Sequence, residues 1–319
     1  MALLLREGDV IKLLEMPSAI MVLEQAFGAL AQGNAINHPR TRIVQENGVM
    51  HLLAAAVPTL GVMGFKTYTA FRSGMRFAVL LFSAQDGHLL SIIEADWLGR
   101  MRTGAASGLA TKYLARPGAS VVGLIGAGKQ AVTQLMGVFA VRPVRIVYVY
   151  SRRLQECETF CNEMARRLPI EVRPVASPRQ AVEDADIVIT ATYSPEPVLP
   201  GDWLKAGCHI NAIGSNWANR RELDHATLKR SDLIVTDSKE QARAEAGDFI
   251  IPANEQVFDW DRVYDLTDVM TGHGPRRDSP GKITLYKGVG IALEDVATAA
   301  HVLTLARERG IGEEINLLG

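Results

Sequence analysis

The sharpest chemical signal in the chain is the run Gly126-Ala127-Gly128-Lys129-Gln130-Ala131. Two glycines one residue apart and a small residue three further on allow a tight turn, a close approach of a diphosphate to the main chain, and close packing of the helix that follows. That helix would offer its first N–H groups and a partial positive charge to the phosphates. The pattern carries weight only between a strand and a helix. A second set of residues, Ser151-Arg152-Arg153, ends the next apolar run. A carboxylate there would grip a ribose 2′-hydroxyl, whereas a hydroxyl and two guanidinium groups suit a 2′-phosphate. The residues thus predict a nicotinamide dinucleotide, NADP(H) in preference to NAD(H). The competing reading of Arg152 and Arg153 is two exposed residues at a helix start.

The surrounding segments supply the required context. Val121–Ile125 reads as a buried strand, and a helix should run from the glycine turn to about Phe139. Further strands are expected at 144–150, 170–175, 186–191, 209–213 and 233–236, alternating with helices. Apolar strands alternating with helices predict a doubly wound parallel sheet covered on both faces, a Rossmann α/β domain over 116–284. Residues 1–115 read differently. A helix is expected over 9–33, then short apolar runs over 41–93 with a hairpin turn at Gln85-Asp86-Gly87-His88, then a small-residue helix over 100–115 ended by Arg116-Pro117-Gly118. This is the pattern of an antiparallel α+β domain. Residues 285–319, with a helix over 293–307, are expected to complete it.

Composition narrows the function. The chain has 319 residues, 48% of them hydrophobic, which suffices for two modest cores. With 34 basic and 35 acidic residues it lacks the one-sided basic surface of a nucleic-acid binder. No apolar run reaches the roughly 18 residues of a spanning helix, and a cytoplasmic protein is expected. Cys157, Cys161 and Cys208 are an odd number in a large chain, which argues against a disulfide scaffold. Cys157 and Cys161 lack a second pair, and no metal site is expected.

Several motifs in one order make the chain resemble the ornithine cyclodeaminase/mu-crystallin family along nearly its whole length. They are Gly64-Phe65-Lys66, Met101-Arg102-Thr103-Gly104-Ala105-Ala106, Ile125-Gly126-Ala127-Gly128-Lys129-Gln130, Asn211-Ala212-Ile213-Gly214, Arg221-Glu222-Leu223-Asp224, Ala246-Gly247-Asp248, and Tyr286-Lys287-Gly288-Val289-Gly290 with Glu294-Asp295. The resemblance implies a substrate-binding and dimerisation domain beside the Rossmann domain, a homodimer formed through the former, and an active site in the cleft between the two.

It also implies site residues. Family members hold a substrate carboxylate with two arginines and a lysine, matched here by Arg42, Lys66 and Arg102, with Arg40 a competitor for the first role. Bidentate guanidinium binding of a carboxylate would fix the adjacent carbon for hydride transfer. Lys66 would bind the carboxylate or supply a proton, which it does well only with a depressed pKa. His51 is a second candidate proton donor, or a structural histidine. The cofactor-binding set is Arg102, Thr103, Gly126, Ala127, Gly128, Lys129, Gln130, Ser151, Arg152, Arg153, Thr192, Ile213, Gly214, Asn216 and Val289.

Two departures bear on the reaction. Cyclodeaminases of the family carry an aspartate where Asn216 stands and a glutamate for the distal amine near His51. Asparagine is neither acid nor base near neutral pH. The expected activity is NADP(H)-dependent reduction of a small 2-imino acid, such as 1-pyrroline-2-carboxylate or 1-piperideine-2-carboxylate. The alternatives are ornithine cyclodeaminase with NAD, an alanine dehydrogenase-like amino-acid dehydrogenase, and a non-catalytic crystallin-like binding protein.

Overall fold

The computed structural model describes residues 1–317, which separate into two compact units: 1–105 with the segment from Gly290 onward, and 106–289.

The first unit is built on β1 (Ala2–Leu5), α1 (Glu7–Leu13), α2 (Met16–Ala31), β2 (Ile36–Asn37), β3 (Thr41–Gln45), β4 (Gly48–Val57), β5 (Val62–Phe71), β6 (Gly74–Ser83), β7 (Leu89–Glu94) and the start of α3 (Asp96–Leu114). Its sheet runs β16 (Glu313–Ile315), β1, β7, β6, β5, β4, β2, with β3 also paired to β4. All pairs are antiparallel except β1 with β7. The turn after β6 includes the predicted Gln85–His88 segment, and Gly87 there takes φ +78°. The single helix expected over 9–33 is two helices bent by 89°. The break lies at Leu14 and Glu15, both extended, and Pro17 falls in the first turn of α2, where a missing N–H costs no intrahelical bond, whereas inside a continuous helix it would forfeit one.

The second unit contains β8 (Val121–Ile125), α4 (Lys129–Val141), β9 (Ile146–Tyr150), α5 (Leu154–Arg167), β10 (Glu171–Pro174), α6 (Pro178–Val182), β11 (Ile187–Thr190), β12 (His209–Ala212), α7 (His225–Arg230), β13 (Leu233–Thr236), α8 (Lys239–Glu245), α9 (Gly247–Asn254), β14 (Val263–Asp265), α10 (Leu266–Thr271) and β15 (Thr284–Lys287). Its strands are parallel, in the order β10-β9-β8-β11-β12-β15-β13-β14. Successive residues of one strand feed opposite faces: Ile187 and Ile189 enter the core cluster with Leu135 and Phe160, and Val188 enters the cluster with Phe249 and Leu285. This is the doubly wound sheet predicted.

Strand β15 corrects the expected boundary at 284/285, which would cut it off. It inserts between β12 and β13, neither of them adjacent to it in sequence, so only the tertiary pairing shows where it belongs. The first boundary, expected at 115/116, falls instead inside α3 at 105/106. The chain then returns to the first unit as α11 (Ala292–Arg309) and β16 (Glu313–Ile315), and α11 packs on α2, β4, β5 and β6. No single described helix is long and apolar enough to cross a membrane.

Candidate active site

In the first unit the register of four strands assembles a row of functional side chains. Arg42 on β3 lies opposite His51 on β4, which lies opposite Tyr68 on β5, and Tyr68 faces Phe77 on β6. Directly paired residues share a sheet face, and so do residues two apart on one strand. Lys66 therefore joins the same face, beside Tyr68. The His51 ring stacks on Tyr68 at 4.0 Å with 6° between planes, and Lys66 Nζ lies 5.5 Å from the Tyr68 ring centre.

Helix α11 covers this face, and its first turn brings Glu294 and Asp295, both buried. A helix N-terminus favours negative charge, which offsets part of the cost of burying it. Asp295 Oδ1 accepts hydrogen bonds from Lys66 Nζ at 3.0 Å and Arg102 Nε at 2.9 Å. Arg102 Nη1 donates to Glu294 Oε2 at 2.7 Å. Arg40 donates to the Gly290 carbonyl at 2.8 Å. Gly290 is left-handed, at φ +76°, and a Cβ there would stand 2.5 Å from Arg102 Nη1. The approach of the guanidinium to the head of α11 thus requires glycine at that position.

Lys66 and Arg102 are thus joined through one carboxylate, and Arg42 is a cross-strand neighbour of His51. Thr103 follows Arg102 on α3, where its hydroxyl donates to the Gly99 carbonyl at 2.7 Å. Burial, then Arg102 and Arg40, lower the Lys66 pKa to about 8 against the opposing pull of Asp295. The His51 pKa falls to about 3, through burial first and then the charges of Arg40, Arg42 and Lys66. Such a shift favours the neutral ring at neutral pH, in keeping with the structural alternative for His51. Sequence motifs alone assign Glu294 and Asp295 no role. Their signal was two acids beginning a helix whose next residues are apolar, the mark of buried anions that need cationic partners.

In the second unit the glycine turn follows β8. Gly126 takes φ +108°, and a Cβ on it would meet the Ala191 carbonyl oxygen at 2.4 Å. Gly128 precedes the first residue of α4 and has open space where a side chain would project. Ala127 is half-buried, while Lys129 and Gln130 are exposed in the first turn of α4. This arrangement fits a dinucleotide diphosphate. Ser151 and the exposed Arg152 and Arg153 follow β9, with Arg153 paired to Glu156. Thr192, Ile213 with Gly214, and Val289 follow β11, β12 and β15 at the same carboxyl edge of the sheet, and Asn216 lies in the loop beyond Gly214. The chain goes from β8 to β9 and β10 on one side and to β11 and β12 on the other, so the turn stands at the topological switch point, where such sheets bind ligands.

A parallel sheet with a glycine turn at its switch point defines the class of protein, a Rossmann-type dinucleotide-binding enzyme. The ornithine cyclodeaminase/mu-crystallin family model matches residues 2–310. A delta(1)-pyrroline-2-carboxylate reductase of Bacillus cereus is 31% identical over 314 residues, 95% of this chain and 96% of that protein. An alanine dehydrogenase of Archaeoglobus fulgidus is 31% identical over 324 residues, 98% of each chain. The structure of Thermococcus litoralis delta(1)-pyrroline-2-carboxylate reductase in complex with NADH and L-proline superposes with a TM-score of 0.94 at 37% identity, covering 98% of this chain and 100% of that one. The chain belongs to the ornithine cyclodeaminase/mu-crystallin family.

Proposed function

We propose that the chain is an NADP(H)-dependent reductase of a small cyclic 2-imino acid such as 1-pyrroline-2-carboxylate. The observation that carries this reading is Lys66: a buried ammonium held by Asp295, with its pKa lowered to about 8, on a sheet face that also carries Arg42. A lysine so poised is a competent acid near neutral pH. Arg42 binds the substrate carboxylate, with Arg102 and Arg40 adding positive charge. Lys66 delivers a proton from Nζ to the imine nitrogen, and Asp295 orients it. Neutral His51, stacked on Tyr68, forms an uncharged wall suited to a ring rather than to the distal ammonium of ornithine.

The cofactor is held by Gly126, Ala127, Gly128, Lys129 and Gln130 at the diphosphate, by Ser151, Arg152 and Arg153 at the 2′-phosphate, and by Arg102, Thr103, Thr192, Ile213, Gly214, Asn216 and Val289 toward the nicotinamide. When bound, the reduced nicotinamide supplies the hydride. Arg152 and the lack of an acid at the end of β9 support NADPH over NADH.

Alanine dehydrogenase activity is the second reading, favoured by the equal identity of the Archaeoglobus fulgidus enzyme. Asn216 weighs against it, since the family resemblance implies an aspartate there for that activity. Three buried free cysteines suit a reducing compartment such as the cytoplasm. The test is a spectrophotometric panel with NADPH and NADH against pyrroline-2-carboxylate, piperideine-2-carboxylate and pyruvate with ammonia, with ornithine plus NAD assayed for proline and ammonia. Consumption of NADPH in preference to NADH, with a cyclic imine, is expected. Proline and ammonia from ornithine, or turnover confined to pyruvate with ammonia, would refute the proposal.

A further inference from the structure

A buried carboxylate ties together two strand ends of the second unit, and none of the roles above uses it. Glu222 is fully buried. Its Oε1 accepts from both the N–H and the hydroxyl of Thr192, each at 2.7 Å. Its Oε2 accepts from the Thr190 hydroxyl at 2.8 Å and the Gly214 N–H at 2.7 Å. The Glu222 backbone N–H is in turn held by Asp248 Oδ1 at 2.7 Å. Asp248 pairs with Lys287 at 2.8 Å, and Lys287 Nζ donates to the Ser215 carbonyl at 2.6 Å. Buried charges are retained in such a place only when every one is met by donors or an opposite charge. The cluster thus clamps the loops after β11 and β12 to a third strand end, that of β15.

The sheet says which part of a ligand those loops would meet. Ile125, Thr190 and Ala212 are in register, so the ends of β8, β11 and β12 form one continuous ledge. The end of β9, with its arginines, lies on the opposite side of β8. A dinucleotide with its diphosphate on the Gly126 turn and its adenosine toward β9 extends its second ribose and base over β11 and β12. The packing there has little slack: a Cβ on Gly214 would stand 2.2 Å from the Thr192 carbonyl oxygen and 2.3 Å from Glu222 Oε1.

We infer that Glu222 is a positioning residue for the redox base of the cofactor, shaping its seat through Thr192 and Gly214 without touching it. The inference rests on the reading of the chain as a nicotinamide-dependent enzyme. It separates two halves of one ligand. Loss of the clamp disturbs the nicotinamide half and leaves the adenosine and diphosphate half in place.

The experiment titrates the full chain with NADPH, followed by its fluorescence, and with 2′-phospho-ADP-ribose, which lacks only the nicotinamide. Glu222→Gln turns one carboxylate oxygen into an NH2 group facing two donors. NADPH affinity should fall by about tenfold, while 2′-phospho-ADP-ribose affinity stays within about twofold. Thr190→Val removes a single donor to Oε2 at a buried residue that does not itself hold the cofactor, gives a smaller shift in the same direction, and carries the test if Glu222→Gln does not fold. Equal weakening of both ligands, or of neither, overturns the inference and leaves the functional reading intact. If wild type prefers NADH, the pair becomes NADH and ADP-ribose with the same expected split. A wild-type chain that binds no reduced dinucleotide overturns the functional reading and the inference with it.

Discussion

At the scale of single residues, the first unit carries four cations, Arg40, Arg42, Lys66 and Arg102, and two buried acids, Glu294 and Asp295, that pair with Lys66 and Arg102. With all six charged, four positive and two negative leave an excess of two positive charges, which favours an organic anion. Lys66 bears most of the chemical burden. Lys66→Met keeps an unbranched chain of similar length and removes the proton. We expect kcat for imine reduction to fall by at least about a hundredfold, with NADPH affinity unchanged by fluorescence titration. Activity within tenfold of wild type would rule out Lys66 as the acid. The sign of the pH dependence follows from the depressed pKa. Imine reduction needs the ammonium, so its kcat should hold below the Lys66 pKa of about 8 and decline above it. Oxidation of the cyclic amino acid needs the free amine and should rise through the same range. A reduction rate that climbs from pH 7 to 10 contradicts the assignment.

At the scale of elements, much of the site depends on helix termini meeting strands. Glu7 of α1 accepts the backbone N–H groups of Asp96 and Trp97, at 3.2 and 2.5 Å, and so starts α3 four residues earlier than the small-residue pattern suggested. That cap comes from a residue about ninety positions away, and no local pattern announces it. The left-handed Gly290 ahead of α11 is a second such device. Gly290→Ala combines left-handed strain of about 1–2 kcal/mol with a methyl group driven against Arg102. We expect a lowered melting temperature together with a KM for the imino acid raised by about tenfold or more. Destabilisation with an unaltered KM would show that Arg102 does not serve the substrate.

At the scale of the whole molecule, the two faces of the first sheet differ. The face with Lys66 and His51 is covered by α11. The other carries Ile36, Ile43 and Met63, each exposed, together with the stacked pair Phe65 and Phe82. An uncovered apolar sheet face of this kind supports the homodimer proposed from the family resemblance. Sedimentation equilibrium should find twice the 34.7 kDa of one chain, and Met63→Lys should shift the population toward monomer. A wild-type protein that is monomeric at micromolar concentration would refute this assembly.

The amino-acid sequence by itself determined the glycine turn and the alternation of strands and helices around it, because these depend on local backbone freedom and on side-chain periodicity; Arg42, Lys66 and Arg102 were marked only by the family resemblance. The tertiary structure alone decided that β15 inserts between β12 and β13, that Asp295 bridges Lys66 and Arg102, that His51 is buried against Tyr68, and that Glu222 binds two loops. Each of these depends on residues brought together from distant positions, where burial and neighbouring charge, rather than residue type, set the chemistry.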